Sequence, residues 1–187
     1  MDRETLIAFE HEIADLFRQA KIRAPVHLCS GNEDILINIF KHVKPTDWVV
    51  STHRSHLHAL LKGIPPEWLK REILAGHSIT LNNREHRFFT SAIVGGGLPI
   101  AVGLALAGET VWCFFGDMAA RTGAFHECVA YAAGHRLPVH FVIEDNGLSV
   151  CTPTQEVWGN DHAAKIISYR YKSSWPHQGD GGPRVIF

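Results

Sequence analysis

Apolar positions change their period along the chain, and each change predicts an element. From the amino terminus, MDRETLIAFEHEI leads into an amphipathic helix with Leu6, Phe9, Ile13, Leu16 and Phe17 on one side. Asn32 to Val43 repeats that period through Ile35, Leu36, Ile39 and Phe40, and Trp48 to Ser51 reads as a short strand. His56 to Lys62 reads as helix, and Pro65-Pro66-Glu67 starts another that ends near Gly76, since proline suits a first turn and glycine the position past a last one. Leu98 to Ala107 is a helix of small residues that allow close packing. Two continuous apolar runs, Val111 to Phe115 (VWCFF) and Val139 to Ile143 (VHFVI), are rich in β-branched and aromatic residues, as buried parallel strands are. Between them Gly123 to Ala133 presents Phe125, Val129 and Ala132 or Ala133 on one face, Gly134 offers a stop, and Pro138 marks the next strand.

Strand, helix and strand of this length form a right-handed crossover, which brings both carboxyl ends to one edge of a parallel sheet. Ligands bind at that edge in open α/β sheets. Asp117 and Asn146, 29 positions apart, follow the two strands directly. Their oxygens suit Mg²⁺, which takes few protein ligands and completes its octahedron with phosphate and water. The same residues are also ordinary turn formers, so the pair alone leaves both readings open.

The stretch GDMAARTGAFHECVAYAAGHRLPVHFVIEDN resembles the thiamine diphosphate signature, GDG followed after a fixed interval by NN, in the form found in alpha subunits of 2-oxo-acid and acetoin dehydrogenases. Three further segments, in order, resemble the same family: FRQAKIRAPVHLCSGNEDI its amino-terminal helix and HLC-x-GQE turn, PTDWVVSTHRSHLHALLKG its cofactor-contacting STHRGHGH stretch, and FFTSAIVGGGLPIAVGLALA its aminopyrimidine loop and helix. The resemblance implies an α/β fold with a doubly wound, mostly parallel sheet, the diphosphate-binding layer of the thiamine diphosphate fold, as a single domain over residues 1–187. Residues 173–187, rich in glycine around Gly179 to Gly182, read as a flexible or partner-contacting tail.

Residue by residue, the resemblance implies Mg²⁺ bound by Asp117, Asn146 and the carbonyl of Leu148. It implies diphosphate contacts from His53 and Arg54 and within the loop Gly116, Asp117, Met118 and Ala119, ring contacts from the backbone of Ala92 and Val94, and an active-centre role for His56. Arginine fits because its planar fork matches phosphate oxygens. Four departures stand out. Met118 replaces a glycine, a position where positive φ and close backbone approach would otherwise be available. Asp145 replaces the first Asn of the NN pair. Lys172 replaces the histidine after YRY and can pair with phosphate only as a point charge. Only Cys151 to Ile167 separates Val150 from SYRYKSS, where the family has a further strand and helix.

The implied enzyme decarboxylates a 2-oxo acid, or cleaves a C–C bond beside a carbonyl, and transfers the acyl or two-carbon unit. Its implied partner is a beta-type subunit that supplies a glutamate to the aminopyrimidine, in a heterotetramer of two alpha-type and two beta-type chains. Two other readings remain: a split, transketolase-like ketol transferase acting on a ketose, and a degenerate scaffold or regulatory subunit without catalysis. Composition narrows the field. With 187 residues, 45% hydrophobic and 20% charged, the chain suffices for one globular core, and 18 basic against 19 acidic residues give it no general attraction for nucleic acid or anionic membrane. Four cysteines without CxxC spacing read as reduced and buried, and the lack of a long apolar run or basic leader leads to a cytoplasmic expectation with no membrane span. His53, His56 and His58 lie close together, but their spacing fits no zinc pattern and acidic ligands are missing nearby. Gly95 to Gly97 serve either a ligand or tight loop-to-helix packing.

Overall fold

The computed structural model describes residues 1–149 and 151–159. Six main helices and a five-stranded sheet make up most of it: α1 (Arg3–Arg18), α2 (Glu33–Phe40), β1 (Trp48–Ser51), α3 (His56–Leu61), α4 (Pro66–Leu74), β2 (Asn82–Asn83), β3 (Phe88–Thr90), α5 (Gly97–Leu106), β4 (Val111–Gly116), α6 (Gly123–Gly134) and β5 (Val139–Glu144). A small hairpin of β6 (Leu148–Ser149) and β7 (Thr152–Pro153) follows, then the five-residue α7 (Thr154–Trp158). The sheet order is β2-β3-β1-β4-β5, with β3, β1, β4 and β5 parallel and only β2 antiparallel.

Alternation along β4 divides the core. Val111, Cys113 and Phe115 pack with Leu98, Ala101 and Ala105 of α5. Phe114 points the other way, joining Leu6, Phe9 and Ile13 of α1, Leu36 and Phe40 of α2, Leu57 of α3 and Leu69 and Ile73 of α4. Period-2 side-chain placement thus gives one strand two buried faces, which is what a continuous apolar run in a parallel sheet requires. Phe114 is 1% exposed and stacks on Phe40 at 5.5 Å; its truncation to alanine costs about 3–5 kcal/mol. Chain connections run from β1 to β3 on one side and from β4 to β5 on the other. The switch point therefore lies between β1 and β4, where such sheets open a crevice at their carboxyl ends.

Several details depart from the pattern reading. Phe17 and Ile35 are 50% and 63% exposed, because the inward stripes of α1 and α2 are narrower than the apolar runs that mark them. α2 ends at Phe40, short of Val43. α6 runs through Gly134; the left-handed position belongs to Arg136 (φ +53), whose N–H donates to the Ala133 carbonyl while Leu137 N–H donates to that of Ala132. Its inward face is Phe125, Cys128 and Ala132 rather than Val129. β5 is half-exposed rather than buried, since among the described residues only β4 pairs with it. Cys29 and Cys113 are buried, but Cys128 is only partly so and Cys151 is exposed. No described helix is long and apolar enough to cross a membrane.

Candidate functional site

Four strand ends converge at the carboxyl edge of the sheet. β1 delivers Thr52 to Ser55, β3 delivers Ser91 to Gly96, β4 delivers Asp117 to Thr122, and β5 delivers Asp145 to Gly147. Ser91 N–H donates to the Ser51 carbonyl at 3.0 Å, which fastens the second loop to the first. A Cβ on Gly96 would come within 2.9 Å of both Ile93 Cβ and Ser91 Oγ, and one on Gly97 within 3.1 Å of Val50 Cγ1. Those two glycines serve tight packing at the start of α5. Gly95 (φ +73) brings the loop to Thr122, the residue that caps α6 by accepting the Phe125 N–H at 3.3 Å. Ala92 and Val94 stand exposed on this loop, Val94 at 66%.

At the end of β4, Asp117 Oδ1 accepts the Met118 N–H at 2.9 Å, whereas Oδ2 is buried without a hydrogen-bond partner among the described residues. Burial pushes the Asp117 carboxyl above the ordinary carboxylate range, and the nearby Asp145 carboxylate acts in the same direction. An orphaned, desolvated carboxylate oxygen is costly, and a hard cation is one group that would satisfy it. Met118 adopts φ −68 and ψ −35, an ordinary right-handed conformation, so methionine is no backbone misfit here. Its Sδ accepts from Trp158 Nε1 of α7 at 3.2 Å. Ala119 is buried beneath the loop.

Beyond β5 the backbone turns sharply at Gly147 (φ +70). Asp145 Oδ1 accepts the Gly147 N–H at 2.8 Å and Asn146 Oδ1 accepts the Leu148 N–H at 3.0 Å, so both side chains fold over their own turn. Glu144, the last residue of β5, anchors that turn from below. Its Oε1 meets His58 Nε2 at 3.2 Å and accepts from Asn32 Nδ2 at 3.0 Å, while His58 Nδ1 meets Ser51 Oγ at 2.8 Å. His58 packs against both Phe40 and Phe114, with ring centroids 6.0 and 4.4 Å away. This buried polar chain ties the ends of β1 and β5 to the turn before α2, and the pattern of the sequence alone does not reveal it.

The histidine-rich segment separates into open and closed members. His53 stacks edge-on against His27 at 4.5 Å, and Arg54 donates to the Leu28 carbonyl. Burial, followed by the neighbouring cationic groups, lowers both His27 and His53 below the usual imidazole range. One arginine and two imidazoles held together offer a permanent positive charge and ring N–H donors able to receive an anion. His27 belongs to the HLC turn, and only its contact with His53 identifies it. His56, expected at the active centre, is instead 0% exposed: Nδ1 meets Glu10 Oε1 at 2.9 Å and Nε2 meets Ser78 Oγ at 2.9 Å. Both ring nitrogens are taken, because α3 starts at this residue and turns its first side chain into the core. Lys172, the YRY segment and the tail 173–187 lie outside the described residues.

The sequence profile of the family described as dehydrogenase E1 component matches residues 1–167. Among curated proteins, the alpha subunit of acetoin:2,6-dichlorophenolindophenol oxidoreductase from Bacillus subtilis is 34% identical over 161 residues, covering 78% of this chain and 48% of its own. Pyruvate dehydrogenase E1 component subunit alpha-3, chloroplastic, from Arabidopsis thaliana is 31% identical over 179 residues (81% and 42%), and the Cupriavidus necator acetoin:2,6-dichlorophenolindophenol oxidoreductase alpha subunit is 31% identical over 195 residues (90% and 57%). The chain thus spans about half the length of the curated relatives it matches. With a mostly parallel sheet, four loops gathered at its carboxyl edge and a profile match over most of its length, the chain belongs to the dehydrogenase E1 component family.

Proposed function

We propose that this chain is the alpha-type, diphosphate-binding part of a thiamine diphosphate-dependent enzyme that decarboxylates a 2-oxo acid and transfers the acyl unit. A beta-type subunit would complete the site with the glutamate that faces the aminopyrimidine, in a heterotetramer. The observation that carries the reading is Asp117, whose Oδ2 is buried without a hydrogen-bond partner among the described residues at the switch-point edge, beside the Asn146 turn. Asp117, the Asn146 side-chain oxygen and the Leu148 carbonyl would hold Mg²⁺. Asn146 Oδ1 already accepts one N–H and keeps a second lone pair for a cation. The cluster of His53 and Arg54, with His27 beside it, would face the diphosphate, and the exposed loop residues Ala92 and Val94 would meet the ring through their backbone. When bound, thiamine diphosphate supplies the electron sink for cleavage next to the carbonyl. The chain's own share is to hold the diphosphate end and fix its direction. His56 contributes by bracing Glu10 and Ser78, since it has no face open to a substrate. Free thiols at all four cysteines fit a reducing compartment such as the cytoplasm.

Calorimetric titration of thiamine diphosphate with Mg²⁺, into the chain alone and with its copurified partner, tests this reading. Binding is expected to be weak alone, tighter in the complex and lost in Asp117→Ala. No binding in either preparation would remove the enzyme reading. The scaffold reading draws on one observation, the Trp158 contact that covers Met118 at the diphosphate loop; it is favoured if cofactor fails to bind while the partner still associates. Turnover of 2-oxo acids against ketose phosphates by the complex separates decarboxylation from ketol transfer.

A further inference from the structure

Strand register makes Asp145 the neighbour of Asp117. Gly116 pairs with Glu144 in the β4–β5 ladder, so the next residue out of each strand, Asp117 on one and Asp145 on the other, emerges side by side. The signature that this stretch resembles carries asparagine at the position of Asp145, so the second carboxylate is a departure from that signature. Asp145 uses Oδ1 to hold the Gly147 N–H, a role asparagine could fill equally well. The turn therefore does not require the charge. Two adjacent carboxylates, one with an oxygen that is buried without a hydrogen-bond partner among the described residues, repel each other when both are charged, and a cation between them relieves that repulsion.

We infer that Asp145 makes the cation site of this chain a two-carboxylate site that binds a hard divalent cation without help from the diphosphate. The inference rests on Asp117 as a metal ligand, and charge arithmetic gives it consequences of opposite sign. One carboxylate leaves a bound divalent cation with a net single positive charge to attract diphosphate. Two carboxylates leave none. Asp145 should therefore strengthen binding of the metal alone and weaken the electrostatic attraction for the cofactor once metal is bound. A residue that only shaped the turn would move both affinities in the same direction.

The test is Asp145→Asn, which keeps the acceptor for Gly147 and removes the charge. Mn²⁺ alone, followed by electron paramagnetic resonance on the chain with its copurified partner, is expected to bind the wild type and to bind the variant more weakly, on the order of tenfold or more. At saturating Mg²⁺, calorimetry is expected to show tighter thiamine diphosphate binding by the variant. Equal Mn²⁺ affinity in both, or weakening of metal and cofactor together, would overturn the inference while leaving Asp117 as a ligand. If neither form binds Mn²⁺ and neither binds thiamine diphosphate with Mg²⁺, the proposed function itself fails.

Discussion

Replacing His56 by alanine separates a structural histidine from a substrate-facing one. The wild-type ring is fully enclosed, edge-on to Phe9 at 6.4 Å, and bonded to Glu10 and Ser78. Removing it orphans two buried polar groups, and each costs about 1–3 kcal/mol when left unsatisfied. Glu10 carries the larger share, because its other oxygen holds the Cys29 N–H at 3.2 Å and cannot move freely to water. The vacated ring adds a cavity of the kind that costs roughly 2–5 kcal/mol in large-to-small core changes. Partial relaxation lowers the sum, so a loss of about 4–6 kcal/mol is expected, against a total stability of about 5–15 kcal/mol for a domain. Urea unfolding followed by tryptophan fluorescence measures it, with turnover of the complex assayed in parallel below the transition. A variant with unchanged unfolding but abolished turnover would refute the reasoning, because only an open imidazole can be dispensable for folding and required for chemistry.

Three other outcomes are expected. His27 and His53 have folded-state pKa values below the unfolded value, so the unfolded chain takes up protons first; stability is complete above about pH 6.5 and falls as pH drops through the unfolded toward the lowered folded values. Unfolding curves at neutral and mildly acidic pH should show this slope, and His27→Gln with His53→Gln should flatten it. Burial raises the Cys113 thiol to about 12 and Cys29 further, so maleimide should label Cys151 quickly and these two only on unfolding, as read by mass spectrometry. His58→Phe keeps the ring contact with Phe114 but leaves Glu144 and Ser51 without that partner; it should cost about 1–3 kcal/mol and weaken Mg²⁺-dependent cofactor binding. Unaltered binding would show that the turn after β5 holds without the brace.

How far the fold was legible depended on how much each strand is buried. β4 was readable because all of Val111, Cys113, Phe114 and Phe115 are buried, which demands an unbroken apolar run. β1 was readable for the same reason. β3 was not: its three residues, Phe88 to Thr90, are too short to show a period, and they are recognised as a strand through their pairing with β1 and β2. β5 carries an equally apolar run and yet lies half-exposed at an edge, since an apolar run marks a strand but does not record how many neighbours it will have. Helix ends shifted where backbone closure, rather than glycine, set the stop. Arg136 could take the left-handed position because two hydrogen bonds back to α6 hold it there.

Legibility of the site turned on where helices begin. In STHRSHLH the histidines are chemically identical, and spacing alone cannot rank them. The start of α3 at His56 decides their roles: residues before it remain in the loop at the sheet edge, and residues from it onward enter a helix whose first turns are buried. Hence His53 and Arg54 stay within reach of an anion, while His56 and His58 become acceptors or donors for Glu10, Ser78, Ser51 and Glu144. Met118 follows the same logic in reverse. A glycine motif leads to the expectation that methionine here crowds or tilts the diphosphate; φ −68 shows that the backbone itself does not require glycine, so any crowding must act through the side chain that Trp158 contacts. Both cases have one cause, because residue type names the chemistry available and local backbone geometry decides whether that chemistry faces the site.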